Sequence, residues 1–475
     1  MLGKGTASAV PQKPFQISAA LAAEGRRRAL HFHASCEKWS SFRYHLPMAA
    51  PPSQSSVLTF EAAREVVEHH ASQLSPGSHE TVALLDAAGR VLAETITADR
   101  DIPPFPRSTR DGYAVRAADL TTLPAKLKII GEIKAGPLTG QVPSALNHGQ
   151  AFSIMTGAPV PQGADAVVMV EYTSQKSDSV EITKGIASGE NIVPKGAEAK
   201  RESLLLGRGT HLNETAIALA ASVGKSRLQV FVRPRIAVLT TGDEIVELDA
   251  ELGPTQIRNS NSYSLAVQIQ KAGGKPVLLP IAPDEPRRLR HLIEEGLQSD
   301  LLIMTGGVSM GRYDLVEQVL AELQAEFLFT GAKIQPGRPV VFGRTGSCRA
   351  GAPARAGASA PVHHKYFFGL PGNPVSTMVT FELFAKPMLE ALAGASPSQL
   401  TFLHARLKSE IRVRLGLKRF LPAILSGRYA DSEVELVPWQ GSGDIAAQAR
   451  ANCYIVVPPD REHIPAKEWV AVMPR

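Results

Sequence analysis

The sequence predicts a multidomain α/β plus β protein: a central parallel α/β domain, a β-rich insert domain, a helical and extended linking domain and a C-terminal β module. Three observations carry that reading. Within residues 233–392, short apolar runs at 236–239, 301–304 and 366–368 each lead into a glycine-bearing turn. These turns are Thr240-Thr241-Gly242-Asp243-Glu244, Thr305-Gly306-Gly307-Val308-Ser309-Met310-Gly311 and Leu370-Pro371-Gly372-Asn373-Pro374-Val375-Ser376. Strand, glycine turn and helix in that order build a parallel sheet, whose ligands bind beyond the carboxyl ends of the strands. Second, residues 125–185 change to short β runs separated by turn residues. Third, 475 residues with 44% hydrophobic content are enough for several domains, each with its own core.

In chain order, residues 58–75 read as a helix, with Phe60, Ala63, Val66, Val67 and Leu74 near one face. Apolar segments at 84–88, 90–93 and 96 lead to the rigid Pro103-Pro104-Phe105-Pro106 and then to residues 107–116. Strands are expected at 127–130, 151–155, 166–170 and 180–182, and a helix at 214–223. The α/β alternation follows. A strand at 236–240 precedes a helix capped near Ser260 or Asn261, carrying Leu265 and Ile269 and stopped by Gly273-Gly274. A strand at 276–281 leads to a helix opening at Asp284-Glu285-Pro286, then a strand at 300–304 and a helix at 315–323. Residues 343–362, rich in Ala, Gly, Arg, Ser and Pro, read as a loop inserted between two strands. His363-His364 beside it reads as solvated loop and not as a metal site. Beyond 395 short strands return, ending at 454–457 and 470–472. The expected domains are 1–56 (leader and linker), 57–100 with 186–232 (helical/extended), 101–185 (β-rich insert), 233–392 (α/β) and 393–475 (C-terminal β).

The formal charge of +6 and the pI of 9.1 sit mostly in residues 1–47, where seven Lys/Arg meet two Glu for a net +5. About +1 remains for the other 428 residues, so no nucleic-acid-binding face is indicated. The leader is Arg-rich and acid-poor, a transit-peptide composition. It lacks a sustained helical period and reads first as dispensable, or as a start assigned ahead of Met48. Deleting residues 1–47 is therefore expected to leave melting temperature and activity unchanged. A mean hydropathy of -0.04 and the lack of any apolar run near the ~18 residues of a membrane span argue against a membrane protein. The three cysteines, Cys36, Cys348 and Cys453, lack disulfide or metal spacing, which fits a reducing, cytoplasmic setting.

The three turns carry a chemical expectation. Glycine lets backbone approach a ligand closely, and N–H groups at the following helix start attract anions. Three such turns in one domain predict a pocket for a phosphorylated ligand.

Together, residues 108–116, 154–161, Thr241 to Glu244, Gly306 to Gly311, 333–339, Leu370 to Ser376 and the closing Gly441-Ser442-Gly443-Asp444 resemble the MoeA family, the molybdopterin molybdenumtransferases related to the E domain of gephyrin. The resemblance covers roughly residues 57–475 in the family's order. It implies that the α/β domain binds molybdopterin. It also implies a late step of molybdenum-cofactor assembly: adenylylated molybdopterin is bound, molybdate is delivered to its dithiolene, and AMP is released with a divalent cation, usually Mg²⁺. A homodimer is implied, with each active site shared between the α/β domain of one subunit and the β-rich insert of the other. An upstream adenylyltransferase and downstream molybdoenzymes or chaperones would be its partners.

That chemistry needs acids for Mg²⁺ and cations or N–H donors for two anions. The catalytic candidates are Asp111, Thr156, Glu198, Glu244, Asp284 and Asp314, with Glu244, Asp243 and Asp314 for the metal. Thr241, Gly242, Asn261, Gly306, Gly307, Ser309, Gly311, Lys333, Arg338, Pro371, Pro374 and Ser376 are the binding candidates. Several have a plainer alternative. Glu244 can be a surface-turn acid, Asp111 a turn aspartate and Thr156 a turn hydroxyl. Asp284 and Asp314 can be helix N-caps, Asp314 with Glu317 as a capping box. Lys333 and Arg338 can be merely solvated, and Pro371, Pro374 and Ser376 can simply frame a turn. Three departures from the family pattern stand out: Asn259-Ser260-Asn261 where Asp-Ser-Asn is common, Glu198 where an aspartate is usual, and Arg110 at a commonly apolar position. The competing functions are a scaffold that keeps the pocket without turnover, and an adenylyltransferase acting on molybdopterin.

Overall fold

The computed structural model describes residues 57–136, 145–307, 315–346, 364–428 and 430–475. The α/β domain is a six-stranded sheet in the spatial order Lys275–Leu278, Arg235–Thr240, Leu301–Thr305, Lys365–Leu370, Val341–Thr345, Glu326–Phe329. The first four strands are parallel, and the last two pair antiparallel. Strand Arg235–Thr240 alternates its side chains between two cores. Ile236 and Val238 face the helices Asn261–Lys271 and Pro374–Thr380 through Leu265, Ile269, Val375 and Val379. Ala237 and Leu239 face Pro286–Gly296 and Leu315–Glu322 through Leu289, Ile293, Val316 and Val319. Helices on both faces leave the central strands dry on both sides, which is why they read as unbroken apolar runs.

Chain order sets the binding position. From Arg235–Thr240 the chain crosses to Lys275–Leu278 on one side, then returns to Leu301–Thr305 on the other. The gap beyond Thr240 and Thr305 is therefore a topological switch point, where open α/β sheets bind ligands. Thr240 lies in register with Thr305, and Thr305 with Leu370, so the three glycine turns leave the sheet side by side.

Helix Phe60–Ser72 starts at Thr59, whose hydroxyl accepts the Ala62 N–H at 3.2 Å. It buries Phe60, Ala63, Val67 and Ala71 in the α/β domain's core, beside Phe384 and Leu389. Arg64 is buried with them, donating to the carbonyls of Leu383 (2.6 Å) and Ser398 (3.2 Å). The next segments form two antiparallel pairs, His79–Ala83 with Arg227–Phe231 and Ile96–Thr97 with Leu204–Leu206. They close over helix Glu214–Ser222 around Leu92, Ile96, Leu212 and Leu228.

The β-rich insert is a six-stranded sheet ordered Ala166–Met169, Gly112–Val115, Gln150–Ile154, Ala125–Ile133, Ser179–Ile182, Thr173–Lys176. Tyr113 and Val115 fill one face and Ala114 the other. At the C-terminus, Lys418–Arg428, Asp431–Leu436, Leu403–Leu407, Trp469–Pro474 and Cys453–Val457 pair in sequence, and Cys453–Val457 pairs back to Lys418–Arg428. The sheet is thereby a closed five-stranded barrel, which removes its free edges. Ile334–Gln335 of the α/β domain adds alongside Lys418 and Arg419. Among the described residues no helix is long and apolar enough to cross a membrane.

Some local expectations change. The cap at the start of Asn261–Lys271 comes from Asn259: its Oδ1 accepts the Ser262 N–H at 3.1 Å, while Ser260 makes no side-chain cap bond. Residues 381–385 form a π-helical turn between Pro374–Thr380 and Lys386–Leu392. The 343–362 insertion leaves strand Val341–Thr345, which pairs with Lys365–Leu370. Its residues 347–362, and His363 after them, lie outside the described residues.

Candidate functional site

The three turns touch one another. The Thr241 N–H donates to the Thr305 carbonyl at 3.0 Å. Gly306 has φ +88°, and a Cβ on it would lie 2.3 Å from the Thr241 carbonyl oxygen. A Cβ on Gly307 (φ +62°) would meet Thr241 Oγ1 at 2.8 Å and Val316 Cγ2 at 2.9 Å. One on Gly372 would lie 3.5 Å from Gly306 Cα. Both positive φ and backbone proximity thus restrict positions 306 and 307 to glycine.

Asn261, at the head of helix Asn261–Lys271, ties the second and third turns. Its Nδ2 donates to Thr305 Oγ1 (2.9 Å) and to the Gly372 carbonyl (2.7 Å), and Thr305 Oγ1 donates to the Pro371 carbonyl (3.1 Å). Thr377 Oγ1 donates to the Asn373 carbonyl at 3.0 Å, bracing the same turn. Two buried atoms here have no partner among the described residues: Thr241 Oγ1 and Asn261 Oδ1. Buried unsatisfied polar atoms are unfavourable by about 1–3 kcal/mol each, and these offer one donor hydroxyl and one acceptor to a ligand. The threonines ending the strands, Thr240 and Thr305, open two of the turn motifs but were not among the binding candidates, and both are buried here. Their signal was a hydroxyl closing each apolar run. Thr240 belongs to a buried network with Asn259 and Ser262, its hydroxyl lying 2.8 Å from Ser262 Oγ. Asn259, the departure from the acidic pattern, both accepts and donates in that network.

Acids border the first turn. A Cβ on Gly242 (φ +133°) would lie 2.5 Å from Glu244 Oε2, so the Glu244 carboxylate folds back over Gly242. Asp243 Oδ1 accepts the Asp284 N–H at 3.0 Å, and the Gly242 N–H donates to the Ala282 carbonyl at 3.3 Å. Desolvation in this crowded loop raises the pKa of Asp284, helped by the charges of Asp243 and Glu244. Asp284 does not cap the following helix: Pro286–Gly296 has Glu285 at its N-cap position, without a side-chain bond, and Pro286 at its first turn. Among the described residues no three His, Cys, Asp or Glu form a ready-made metal cage. Ser309, Gly311 and Asp314 lie outside the described residues.

The cationic segment packs on the third turn's helix. A Cβ on Gly337 (φ +101°) would meet Thr380 Cγ2 at 2.3 Å and lies 3.7 Å from the Ser376 carbonyl. Lys333 and Arg338 flank this contact with exposed side chains. Neither forms an ion pair with another described residue, so their charges are available to an anion. Pro374 occupies the first turn of Pro374–Thr380, and the buried Ser376 accepts the Thr380 hydroxyl at 2.8 Å through its carbonyl. The C-terminal module reaches the same place, because the Val375 N–H donates to the Ser442 carbonyl at 3.0 Å. Two residues on, Asp444 caps helix Ile445–Arg450 through the Ala447 N–H at 2.9 Å.

A second cluster lies on the β-rich insert. Asp111 Oδ1 accepts both the N–H (2.7 Å) and the hydroxyl (2.9 Å) of Thr156. These bonds, the backbone one first, lower the pKa of Asp111. Gly112 beside it crosses close to the next strand, where a Cβ would lie 1.9 Å from the Val168 carbonyl oxygen. Glu198 accepts from Arg107 Nη2 at 2.6 Å. Among the described residues no hydrogen bond, ion pair or apolar cluster joins residues 107–198 to 235–392. Replacing Thr156 with valine is expected to raise the Asp111 pKa toward its ordinary value, readable by carboxyl-carbon NMR titration. Because the folded-state pKa is depressed, the associated stability is present above the unfolded pKa and is lost as pH falls through the folded one. The variant should shed part of that acid dependence. An unchanged titration would show that the Thr156 hydroxyl does not hold the carboxylate, since the variant keeps the backbone N–H bond.

A doubly wound domain with three glycine turns meeting at its switch point and acids beside the first of them has the arrangement of an α/β ligand-binding protein. Comparison with known proteins sharpens this class. Residues 58–224 match the MoeA N-terminal region (domain I and II), 237–391 the probable molybdopterin binding domain and 404–474 the MoeA C-terminal region (domain IV). The chain is 32% identical over 400 residues to a molybdopterin molybdenumtransferase of Staphylococcus aureus, covering 83% of this chain and 91% of the relative. It is 37% identical over 320 residues to one of Nostoc sp., covering 66% of this chain and 70% of that protein. The crystal structure of a molybdopterin biosynthesis moeA protein from Pyrococcus horikoshii superposes with a TM-score of 0.67 at 26% identity, covering 88% of this chain and 100% of that one. The chain belongs to the MoeA family.

Proposed function

We propose that this protein is a molybdopterin molybdenumtransferase, a transferase of molybdenum cofactor biosynthesis that inserts molybdate into adenylylated molybdopterin and releases AMP. The observation that carries the reading is the meeting of the three turns at the switch point, where Thr241 Oγ1 and Asn261 Oδ1 are buried without partners among the described residues. The cleft suits a ligand presenting both anionic oxygens and N–H groups, as a pterin phosphate does. The Thr241 hydroxyl and the backbone around Gly242, Gly306, Gly307, Ser309 and Gly311 would hold the phosphoanhydride. Asn261 Oδ1 would accept from an N–H of the ligand. Lys333 and Arg338 bring positive charge toward molybdate, and Pro371, Pro374 and Ser376 hold the third turn that borders it.

The acids at the rim fit a hard cation. Asp284 already has a raised pKa beside Asp243 and Glu244, and a divalent ion would relieve that crowding. With so few protein ligands, it would share its coordination with phosphate oxygens and water, as Mg²⁺ commonly does. When bound by Glu244, Asp243 and Asp314, Mg²⁺ would withdraw charge from the anhydride as AMP leaves. Asp284 sits against this group and sets its electrostatics.

Asp111, Thr156 and Glu198 complete the site from the insert of the other subunit in a homodimer. Among the described residues no hydrogen bond, ion pair or apolar cluster joins Asp111 and Thr156 to the three turns of the same chain, which supports this arrangement. The setting is cytoplasmic, between an adenylyltransferase upstream and molybdoenzymes or their chaperones downstream. Incubating the protein with adenylylated molybdopterin, molybdate and Mg²⁺ should release AMP in step with molybdate uptake. Ligand binding without AMP release would mark a scaffold, and adenylylation of molybdopterin from ATP would mark an adenylyltransferase.

A further inference from the structure

The segment 107–111 of the β-rich insert carries two arginines ahead of Asp111, and only one of them is committed. Arg107 Nη2 donates to Glu198 Oε1 at 2.6 Å. Arg110 is exposed, and its side chain makes no hydrogen bond or ion pair with another described residue. The adjacent carboxylate does not supply one, because Asp111 Oδ1 already accepts the N–H and the hydroxyl of Thr156. Those bonds lower the Asp111 pKa, and the neighbouring guanidinium is not among the causes. Arg110, at a position commonly apolar in the family, thus presents a cation without a counter-charge among the described residues.

The backbone carrying this charge is held in place. The buried Ser108 hydroxyl donates to the Arg110 carbonyl at 2.6 Å and accepts the Arg110 N–H at 3.2 Å. Ser108 lies in register with Ile192, and its carbonyl accepts the N–H of Gly157, next to Thr156, at 2.8 Å. A fixed backbone reduces the entropy lost when the side chain takes up a ligand. Apolar groups stand beside it. Gly112 pairs with Ile154 on one neighbouring strand and with Met169 on the other, both antiparallel. The next residues out, Met155 and Val170, therefore flank Asp111, and they are 41% and 52% exposed. Large apolar side chains open to solvent beside a free cation offer a surface that excludes water from a bound anion, which strengthens its attraction.

We infer that Arg110 is a specificity-determining residue that binds a phosphate oxygen of the adenylylated substrate, with Met155 and Val170 packing against the attached nucleoside. The inference rests on the reading that Asp111 and Thr156 complete the transferase site. It gives the insert its own contact to the substrate's charge, separate from the cradle of the three turns. A guanidinium fork holds two phosphate oxygens at once, which the ammonium of a lysine does not reproduce.

Isothermal titration of the full chain with AMP and with adenosine, beside steady-state turnover of adenylylated molybdopterin, tests the inference. Arg110→Met should weaken AMP binding by about tenfold and leave adenosine binding as it was, and the difference should shrink as salt is raised. Arg110→Lys should recover part of the loss. A Met155→Ala/Val170→Ala double variant should weaken AMP and adenosine alike. In turnover, Arg110→Met should raise KM about tenfold and hold kcat, the signature of a contact made equally in the ground and transition states. Its melting temperature should stay level, since the exposed side chain bonds to no described residue. An unchanged AMP affinity or an unchanged KM in Arg110→Met overturns the inference, as does a wild type that binds no AMP at millimolar concentrations. A wild type that binds AMP through Arg110 yet releases none from adenylylated molybdopterin would overturn the transferase reading and leave this contact standing.

Discussion

Replacing Glu244 with alanine is expected to lower AMP release by about 10²–10³-fold, the loss typical of removing one preorganised electrostatic group, with little change in melting temperature. The Glu244 side chain is exposed, folds over Gly242 and makes no hydrogen bond or ion pair with another described residue. Its removal leaves no cavity and breaks no network, so the stability change should stay within about 0.5 kcal/mol. The carboxylate does act through space, as one of the two charges that raise the pKa of Asp284. In the variant, Asp284 should therefore titrate at lower pH, closer to an ordinary aspartate. A variant that releases AMP at the wild-type rate would assign Glu244 to the surface of a turn and remove it from the metal site.

Gly306→Ala is expected to be destabilising by about 3 kcal/mol or more, through a left-handed backbone and a steric clash acting together. The new Cβ would sit 2.3 Å from a backbone oxygen, that of Thr241, so relief requires moving one of two turns that are fixed by register at Thr240 and Thr305. Moving either opens the cleft, and affinity for adenylylated molybdopterin should fall with stability. Thr241→Val separates the two effects. It keeps the shape of the side chain and removes a buried hydroxyl that has no partner among the described residues. Stability should stay level or rise, since an unsatisfied polar group is lost, while ligand affinity drops. Urea unfolding and calorimetric titration measure both quantities. A marked loss of stability in Thr241→Val would make that hydroxyl a structural group.

These contrasts follow from features that were unequally visible in the sequence. The strand-turn-helix units at Thr240, Thr305 and Leu370 were legible because the strands are buried on both faces and glycine marks the turns. Helix Phe60–Ser72 was legible from the spacing of Phe60, Ala63 and Val67. Its neighbours were not, since packing against Phe384 and Leu389 is a long-range choice that local periodicity does not encode. The cap of the helix after the first turn was misplaced by one or two residues, because Ser260, Asn261 and Asn259 are all competent capping types. Only the tertiary network of Thr240 and Ser262 selects Asn259. Asp284 invited reading as a cap because it precedes Pro286, yet its N–H is committed to Asp243. Closure of the C-terminal barrel depends on pairing Lys418–Arg428 with Cys453–Val457, a contact between distant short strands. The orphaned oxygens of Thr241 and Asn261 had no sequence signal beyond their residue types, because burial and the absence of a partner are properties of the assembled site.

The most direct measurement mixes two inactive proteins. Asp111 lies with Thr156 on the insert, and Glu244 lies at the first turn of the α/β domain. In a closed two-fold dimer with shared sites, a heterodimer of Asp111→Ala and Glu244→Ala subunits holds one site with both defects and one with neither. Differentially tagged heterodimers, assayed with adenylylated molybdopterin, molybdate and Mg²⁺, should regain AMP release up to about half the wild-type rate. Heterodimers that form and stay inactive would contradict the account, because both residues would then serve the same subunit's site.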